Sequence, residues 1–416
     1  MTSSLIFSLK VQAFRSFQEE ARLDICPLTL LYGFNQAGKS SLLRLLVLLA
    51  DSLQDGAGPL DLQCPALRGA TFKELGWLGT NPALSPWITL VAPEVTTEPT
   101  LKVQFADDDG LVVNRLHLVP GAGDKFLVDL DGAVVRDGNG IEAEYAGQYR
   151  GQDWSGRLKF VSLFPDGLPE QAKELSAQVR KALDPLQRIQ WLHANRTGEG
   201  TDETRRARCC RASGADLPLV LSASQEEQAV LEATSRWLSQ QDGMGNEIAL
   251  RRMSSGQRQL VHRASGREEL PLHLAGEGLR ALLPILLSAT WAETKSPTAP
   301  SLLALEEPEA YLHPTLQVAL FDRLLETVRA GIPVVLETHS VYLLRAMQLA
   351  VLDGRLQSGQ VALHWIEQRA NGAGSVTRVD VKSDATLTGW RPDLFEKEQE
   401  LAHRILDLRW KKTGGG

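Results

Sequence analysis

The chain is short of the features that mark several protein classes. It has only four cysteines, at 26, 64, 209 and 210, and none stands in C-x-x-C spacing. A zinc knuckle and a disulfide framework are therefore excluded, and the thiols read as reduced. Long apolar runs are missing too. Residues 42–50 and 282–289 are the most apolar stretches and fall far below the length that crosses a bilayer. The opening MTSSLIFSLKVQAF has no basic segment leading into an apolar block. A cytoplasmic protein without membrane contact is expected. Positive charge is in deficit, with 44 Lys+Arg against 51 Asp+Glu and a formal net charge of -7. No global field draws the molecule onto nucleic acid, so any such contact has to be local. The 416 residues are 43% hydrophobic and 23% charged, enough apolar material for one large globular domain or two.

The first fifty residues read as one unit. Residues 5–13 and 21–25 alternate loosely, as half-buried strands do, around the turn-like Arg15-Ser16-Phe17. The run LTLLY at 28–32 is the pattern of a strand covered on both faces, and it leads through a glycine loop into the helical LLRLLVLLADSL. That loop, Gly33-Phe34-Asn35-Gln36-Ala37-Gly38-Lys39-Ser40, is a full G-x-x-x-x-G-K-S, followed by Ser41. Its glycines let backbone N–H groups face a β-phosphate, and the helix N-terminus adds partial positive charge. Lys39 can reach the β- and γ-oxygens, and the Ser40 hydroxyl suits Mg²⁺.

Between 59 and 165, Gly, Pro and Asp punctuate short segments at 87–91, 101–105, 110–118 and 125–130, which read as antiparallel strands. A helical rhythm is expected over 169–195, through Leu175, Val179, Leu183, Leu186 and Ile189, and over 224–241, giving two helices able to pair. The polar stretch 197–214 between them carries Arg205, Arg206, Arg208 and Arg211 and reads as a loop. From about 251 the α/β pattern returns. It has a hairpin over 262–274, helices at 279–294, 315–330 and 341–353, and strands at 301–305, 333–337, 361–368 and 375–381.

Two further motifs carry chemistry. Leu302-Leu303-Ala304-Leu305-Glu306-Glu307-Pro308 is an apolar strand ending in adjacent carboxylates, which point to opposite faces and so can take different tasks. Glu337-Thr338-His339-Ser340 ends the next strand, where a histidine can hold a γ-phosphate and sense its loss. His193 and Arg196, after Trp191, offer two readings, a place near the site and a packed helix end, of which the second is preferred.

Taken together, the phosphate loop, LLALEEPEAYLHP and VVLETHS resemble the ATP-binding cassette ATPases of the SMC/RecF/OLD type, specifically bacterial AAA-family ATPases with an EEPE-x-x-LHP carboxylate motif. VQAFRSF at 11–17 resembles their N-terminal strand and turn, and TGWRPDLF near the end resembles a short C-terminal domain found in one subgroup. The match covers roughly residues 5–50 and 255–400. It implies an α/β fold: a mixed sheet, an antiparallel β-lobe and a helical insertion. The corresponding division is 1–165 for the N-terminal part of the ATPase domain, 166–250 for the insertion, and 251–416 for the C-terminal part.

The resemblance also implies site roles. ATP and Mg²⁺ are the expected ligands, held by Gly33, Asn35, Gln36, Ala37, Gly38, Lys39, Ser40 and Ser41, with Glu306 at the metal position beside Ser40. Glu307 stands at the catalytic base, His339 at the switch histidine, and Lys39 supports catalysis. Residues 309–313 fall at the loop that crosses the dimer interface, and 72–75 at the partner-coupling loop. Two segments compete as the signature loop that completes the partner's site. Met253-Ser254-Ser255-Gly256-Gln257 is closer to LSGGQ. Leu274-Ala275-Gly276-Glu277-Gly278-Leu279-Arg280 is preferred because it opens onto the helix that feeds the Glu306 strand, aiming a helix dipole at a γ-phosphate. Gly276, Gly278 and Arg280 would then face the nucleotide, with Gly276 replacing the usual phosphate-binding serine, so slow turnover is expected. No Toprim pattern follows His339, and no second catalytic constellation is visible. The leading expectation is a slow, dimerising ATPase switch, a homodimer or a higher even-numbered oligomer, controlling a separate effector in a phage-defence or repair module. A DNA-clamping ATPase and a scaffold using ATP as a structural ligand are the alternatives.

Overall fold

A computed structural model of the protein describes residues 4–77, 85–93, 98–107, 111–121, 125, 127–137, 140–196, 210, 212–214, 216–222, 224–241, 246–252, 258–264, 268–391 and 393–412. Strands β1 (Phe7–Gln12) and β2 (Ala21–Ile25) form an antiparallel hairpin, with Phe14 and Phe17 bridged inside its turn. The apolar run then forms β3 (Leu28–Gly33), buried at all six positions, and passes into α1 (Lys39–Ser52). Leu42, Leu43, Leu45, Leu46, Leu48 and Leu49 of α1 are all buried, each stabilising the fold by about 1.5–3 kcal/mol relative to exposure.

The short α2 (Phe72–Leu75) is closed by a Thr71–Glu74 capping box. The Gly- and Asp-punctuated region supplies β4 (Trp87–Val91), β5 (Thr100–Asp107), β6 (Leu111–Val119), β7 (Val128–Asp137), β8 (Gly140–Tyr149) and β9 (Gln152–Leu158). These extend the first hairpin into one antiparallel sheet of order β2-β1-β4-β5-β6-β7-β8-β9.

The segment read as two pairing helices is different in the structure. Helix α3 (Glu170–Ala182) stops early, and β10 (Ile189–Leu192) is a strand that pairs in parallel inside the central sheet. Helices α4 (Leu217–Ser222) and α5 (Glu227–Ser239) follow. Strands β11 (Asn246–Arg252), β12 (Arg258–Ala264) and β13 (Leu270–Pro271) then form a small antiparallel sheet. The remainder runs α6 (Glu277–Glu293), β14 (Leu302–Glu306), α7 (Pro314–Arg329), β15 (Val334–Glu337) and α8 (Val341–Leu352). It ends with β16 (Val361–Gln368), β17 (Gly374–Val381), β18 (Leu387–Thr388) and α9 (Asp393–Lys412). Instead of pairing with each other, α3 packs on β5 and β6, whereas α5 packs on β11 and α6.

The central sheet has the order β10-β14-β15-β3-β16-β17-β18, parallel from β10 to β16 and antiparallel beyond. Alternation along its strands sorts side chains into two cores. Leu31, Leu302, Ala304 and Val335 face α1 and the β-lobe, while Leu30, Leu303, Leu305 and Leu336 face the layer of α6, α7 and α8. By the same alternation Glu306 and Glu337, at the C-terminal ends of β14 and β15, belong to the α1 side. Among the described residues no helix is long and apolar enough to cross a membrane. Helix α9 exposes Leu401, Ile405, Leu406, Leu408 and Trp410.

Candidate functional site

The loop from Gly33 to Ser40 links the end of β3 to the start of α1, at the C-terminal edge of the parallel strands. Two of its glycines are required by shape. A Cβ on Gly33 would lie 1.8 Å from the Ile366 carbonyl oxygen, and one on Gly38, at φ 107°, would lie 2.8 Å from the Phe17 ring. Phe17 is fully buried, and Gly374 packs on its other side while donating its N–H to the Ser16 carbonyl at 2.6 Å. The first turn of the chain thus buttresses the loop. Phe34, Asn35 and Gln36 are exposed along its rim, while Ala37 and Lys39 are buried. The first N–H groups of α1, among them those of Ser40 and Ser41, have no intrahelical partner and form an anion cradle.

Lys39 donates from Nζ to the carbonyls of Gly33 at 3.2 Å and Phe34 at 2.8 Å. Burial lowers its pKa, against the opposing pull of the Glu337 and Glu307 carboxylates. One turn along α1, Ser40 and Arg44 face adjacent strands whose last residues, Glu306 and Glu337, are in register. Arg44 grips Glu306 with two bonds of 2.6 Å, from Nε to Oε1 and from Nη2 to Oε2, and the Trp191 indole donates to the same Oε1 at 3.0 Å. The Ser40 hydroxyl donates not to Glu306 but to Glu337 Oε1, at 2.6 Å. Burial pushes the Glu337 carboxyl up to about 7, and its second oxygen is buried without a hydrogen-bond partner. Sequence reasoning placed the metal carboxylate at Glu306, which here is locked in an ion pair.

Glu307 sits at φ 43°, its N–H bonded to the Glu337 carbonyl at 2.8 Å. Desolvation lowers the pKa of both Lys39 and His339 and the Glu307 charge opposes it at each, so the expected base lies within electrostatic reach of the phosphate lysine and the switch histidine. His339 is exposed, and partial desolvation and then Lys39 lower its pKa, leaving a neutral imidazole at neutral pH. Its position is set by Glu309, whose Oε1 accepts from the His339 N–H at 2.9 Å and the Thr338 hydroxyl at 2.6 Å. Burial raises the Glu309 pKa.

Arg196, for which a packed helix end is preferred from sequence over a place near the site, is instead a buried brace after β10, beside the carboxylate pair. It donates to the carbonyls of His193, Ala281, Glu306 and Glu307 at 2.8–2.9 Å, and burial lowers its pKa to about 10. Sequence reasoning missed the roles of Arg44, Glu309 and Glu337 as well. The available signals were Arg44 standing one turn after Ser40, and Glu337 standing directly before Thr338-His339.

Of the two signature candidates, residues 253–257 lie outside the described residues. Gly276 is the exposed N-cap of α6, with open space around it, and a Cβ on Gly278 would lie 3.1 Å from the Tyr311 carbonyl oxygen. The preferred signature therefore adjoins the 307–313 loop. The arginines at 205, 206, 208, 211 and 267 also lie outside the described residues. Of the four arginines on β11 and β12, at 251, 252, 258 and 263, three are ion-paired: Arg251 with Glu269 at 2.6 Å, Arg258 with Glu227 at 2.6 Å, and Arg263 with Glu247.

Among the described residues no group of three or more His, Cys, Asp or Glu could hold a metal ion by itself. Mg²⁺ does not need one, because it takes one or two protein oxygens together with phosphate and water. The Ser40 hydroxyl beside a buried, half-satisfied carboxylate fits such an ion, and the α1 cradle fits the phosphates.

A family model described as an AAA ATPase domain matches residues 166–344. No curated protein matches the chain. Among solved structures, an Smc head bound to the C-terminal winged-helix domain of ScpA is 13% identical, at TM-score 0.52, covering 90% of this chain and 98% of that one. An Smc head with an extended coiled coil, bound to the C-terminal domain of ScpA derived from Pyrococcus furiosus, is 10% identical, at TM-score 0.50, covering 96% and 98%. The fold is thus that of an SMC head, with the mixed sheet and antiparallel lobe expected from the motifs.

Proposed function

We propose that this chain, an SMC/RecF-like P-loop ATPase of the ABC type, is a nucleotide-gated switch whose two copies close on ATP with Mg²⁺ and thereby control a separate effector protein. A cytoplasmic phage-defence or DNA-repair module is the setting this reading favours. The observation that carries it is the exposed start of α6 at Gly276 and Glu277, beside which Gly278 meets the Tyr311 carbonyl of the 307–313 loop. Such a half-site is completed by a second copy. ATP then acts as an interface ligand, shifting the monomer-dimer equilibrium by its differential affinity for the closed form.

The residues divide the chemistry. Lys39 and the α1 N-terminus hold the β- and γ-phosphates, Glu307 orients the attacking water and accepts its proton, and neutral His339 faces the γ-phosphate. Gly276 offers no hydroxyl to that phosphate, which favours slow turnover. The Smc head bound to ScpA is a precedent for a head that engages a separate protein. The paired arginines of β11 and β12 weaken the DNA-clamping alternative. Replacing Glu307 by Gln is expected to lower turnover by about two to four orders of magnitude while ATP stays bound. The variant should sediment as a dimer, or a larger even assembly, with ATP and loosen with ADP. A monomer under both nucleotides would defeat the switch.

A further inference from the structure

We infer that Glu337, not Glu306, is the carboxylate that receives the divalent cation accompanying the nucleotide, an assignment resting on the ATPase reading above. Three observations carry it. First, the P-loop hydroxyl that suits the cation already meets Glu337, with Ser40 Oγ 2.6 Å from Oε1. Second, Glu337 is only 4% exposed, and its Oε2 is buried with no hydrogen-bond partner, an acceptor directed to nothing else in the protein. Buried carboxylate oxygens are ordinarily satisfied, so one left open beside the phosphate loop points to a ligand. Third, Glu306 has its charge matched by a two-bond Arg44 grip, with Trp191 sharing one of its oxygens. Turning it toward a cation would strip the part-buried Arg44 guanidinium of its partner.

The sheet explains the exchange of roles. β15 lies between β14 and β3, so Glu337 is one strand nearer the phosphate loop than Glu306 and in register with Leu31. Ser40 and Arg44, four apart on α1, each meet the strand end beneath them. Glu306 becomes a positioning residue that fixes Arg44 and Trp191 behind the site.

The test measures ATP affinity of the full chain by calorimetry with Mg²⁺ and with EDTA; the ratio isolates the cation's contribution. Glu337→Gln should lower that ratio by roughly tenfold or more while keeping the EDTA affinity. Glu306→Gln should leave the ratio within about twofold of wild type. If that variant fails to fold because Arg44 is left unpaired, the double variant Glu306→Gln with Arg44→Gln removes both charges and serves in its place. Electron paramagnetic resonance of Mn²⁺ bound with ATP gives a second readout, perturbed by the Glu337 substitution and not by the Glu306 one. A ratio that collapses in the Glu306 variant and survives in Glu337→Gln overturns the assignment. Wild-type protein that binds no ATP in either condition, or Lys39→Ala with unchanged affinity, would instead remove the nucleotide reading itself.

Discussion

His364 is a titratable side chain buried on β16, with Nε2 3.0 Å from the Asp24 carbonyl oxygen. Burial holds its pKa down to about 4, with the Arg378 and Arg22 charges acting in the same direction. In the unfolded chain the ring takes up its proton near pH 6.5, whereas the native ring stays neutral. Above pH 6.5 neither state binds that proton and His364 contributes no pH dependence. As pH falls from 6.5 toward 4 only the unfolded state gains it, so native stability drops, by up to about 3 kcal/mol. Urea midpoints across that range should fall further for the wild type than for His364→Gln; parallel curves would remove the argument. The functional acids and bases divide by how far apart their partners stand in sequence. Lys39, Ser40, Glu307 and His339 lie inside contiguous motifs, and the chemistry expected of them could be read there. The pairs Ser40–Glu337 and Arg44–Glu306 join residues 297 and 262 apart, and no local pattern carries that information.

The elements repeat this division. Strand β3 and helices α1, α7 and α8 are long or uniformly apolar, so their pattern is decisive. Strand β10 has only four residues, IQWL, directly after a helical rhythm, and four residues cannot display a period of two. Its place at the edge of the central sheet depends on pairing with β14, a hundred residues and more away. That docking is secured by Arg196, whose guanidinium serves β14's end, the loop after it and α6 at once. Truncating Arg196 to Ala leaves several buried carbonyls without donors, at an expected cost of about 2–5 kcal/mol. Arg196→Lys should recover little, because an ammonium cannot reproduce the planar fork. Chemical denaturation of the three proteins checks this. A lysine variant as stable as wild type would show that charge alone, and not the forked geometry, holds the elements together.

At the scale of the whole molecule the question is which surfaces meet when two copies close. With a net charge of -7 on each, protomers repel at long range, so association needs a local attraction that the bound nucleotide can supply. The facing pieces would be the exposed loop rim at Asn35 and the start of α6 at Glu277, also exposed, with Tyr311 beside it. Glu277 suits a probe better than Gly278, where any added Cβ would crowd the Tyr311 carbonyl. The cysteines at 26, 64 and 210 are buried, and with Cys209, which lies outside the described residues, replaced by Ser the background to a thiol crosslinker is small. Asn35→Cys and Glu277→Cys, introduced on separately tagged copies in the Glu307→Gln background, should join through a short bis-maleimide only when ATP is present, and only between the two tags. The same pair placed on one chain should give crosslinked dimers rather than an internal loop. Internal crosslinking, or dimers that form equally without nucleotide, would mean that α6 completes its own site or that another face associates, and ATP would then be a structural ligand rather than a switch.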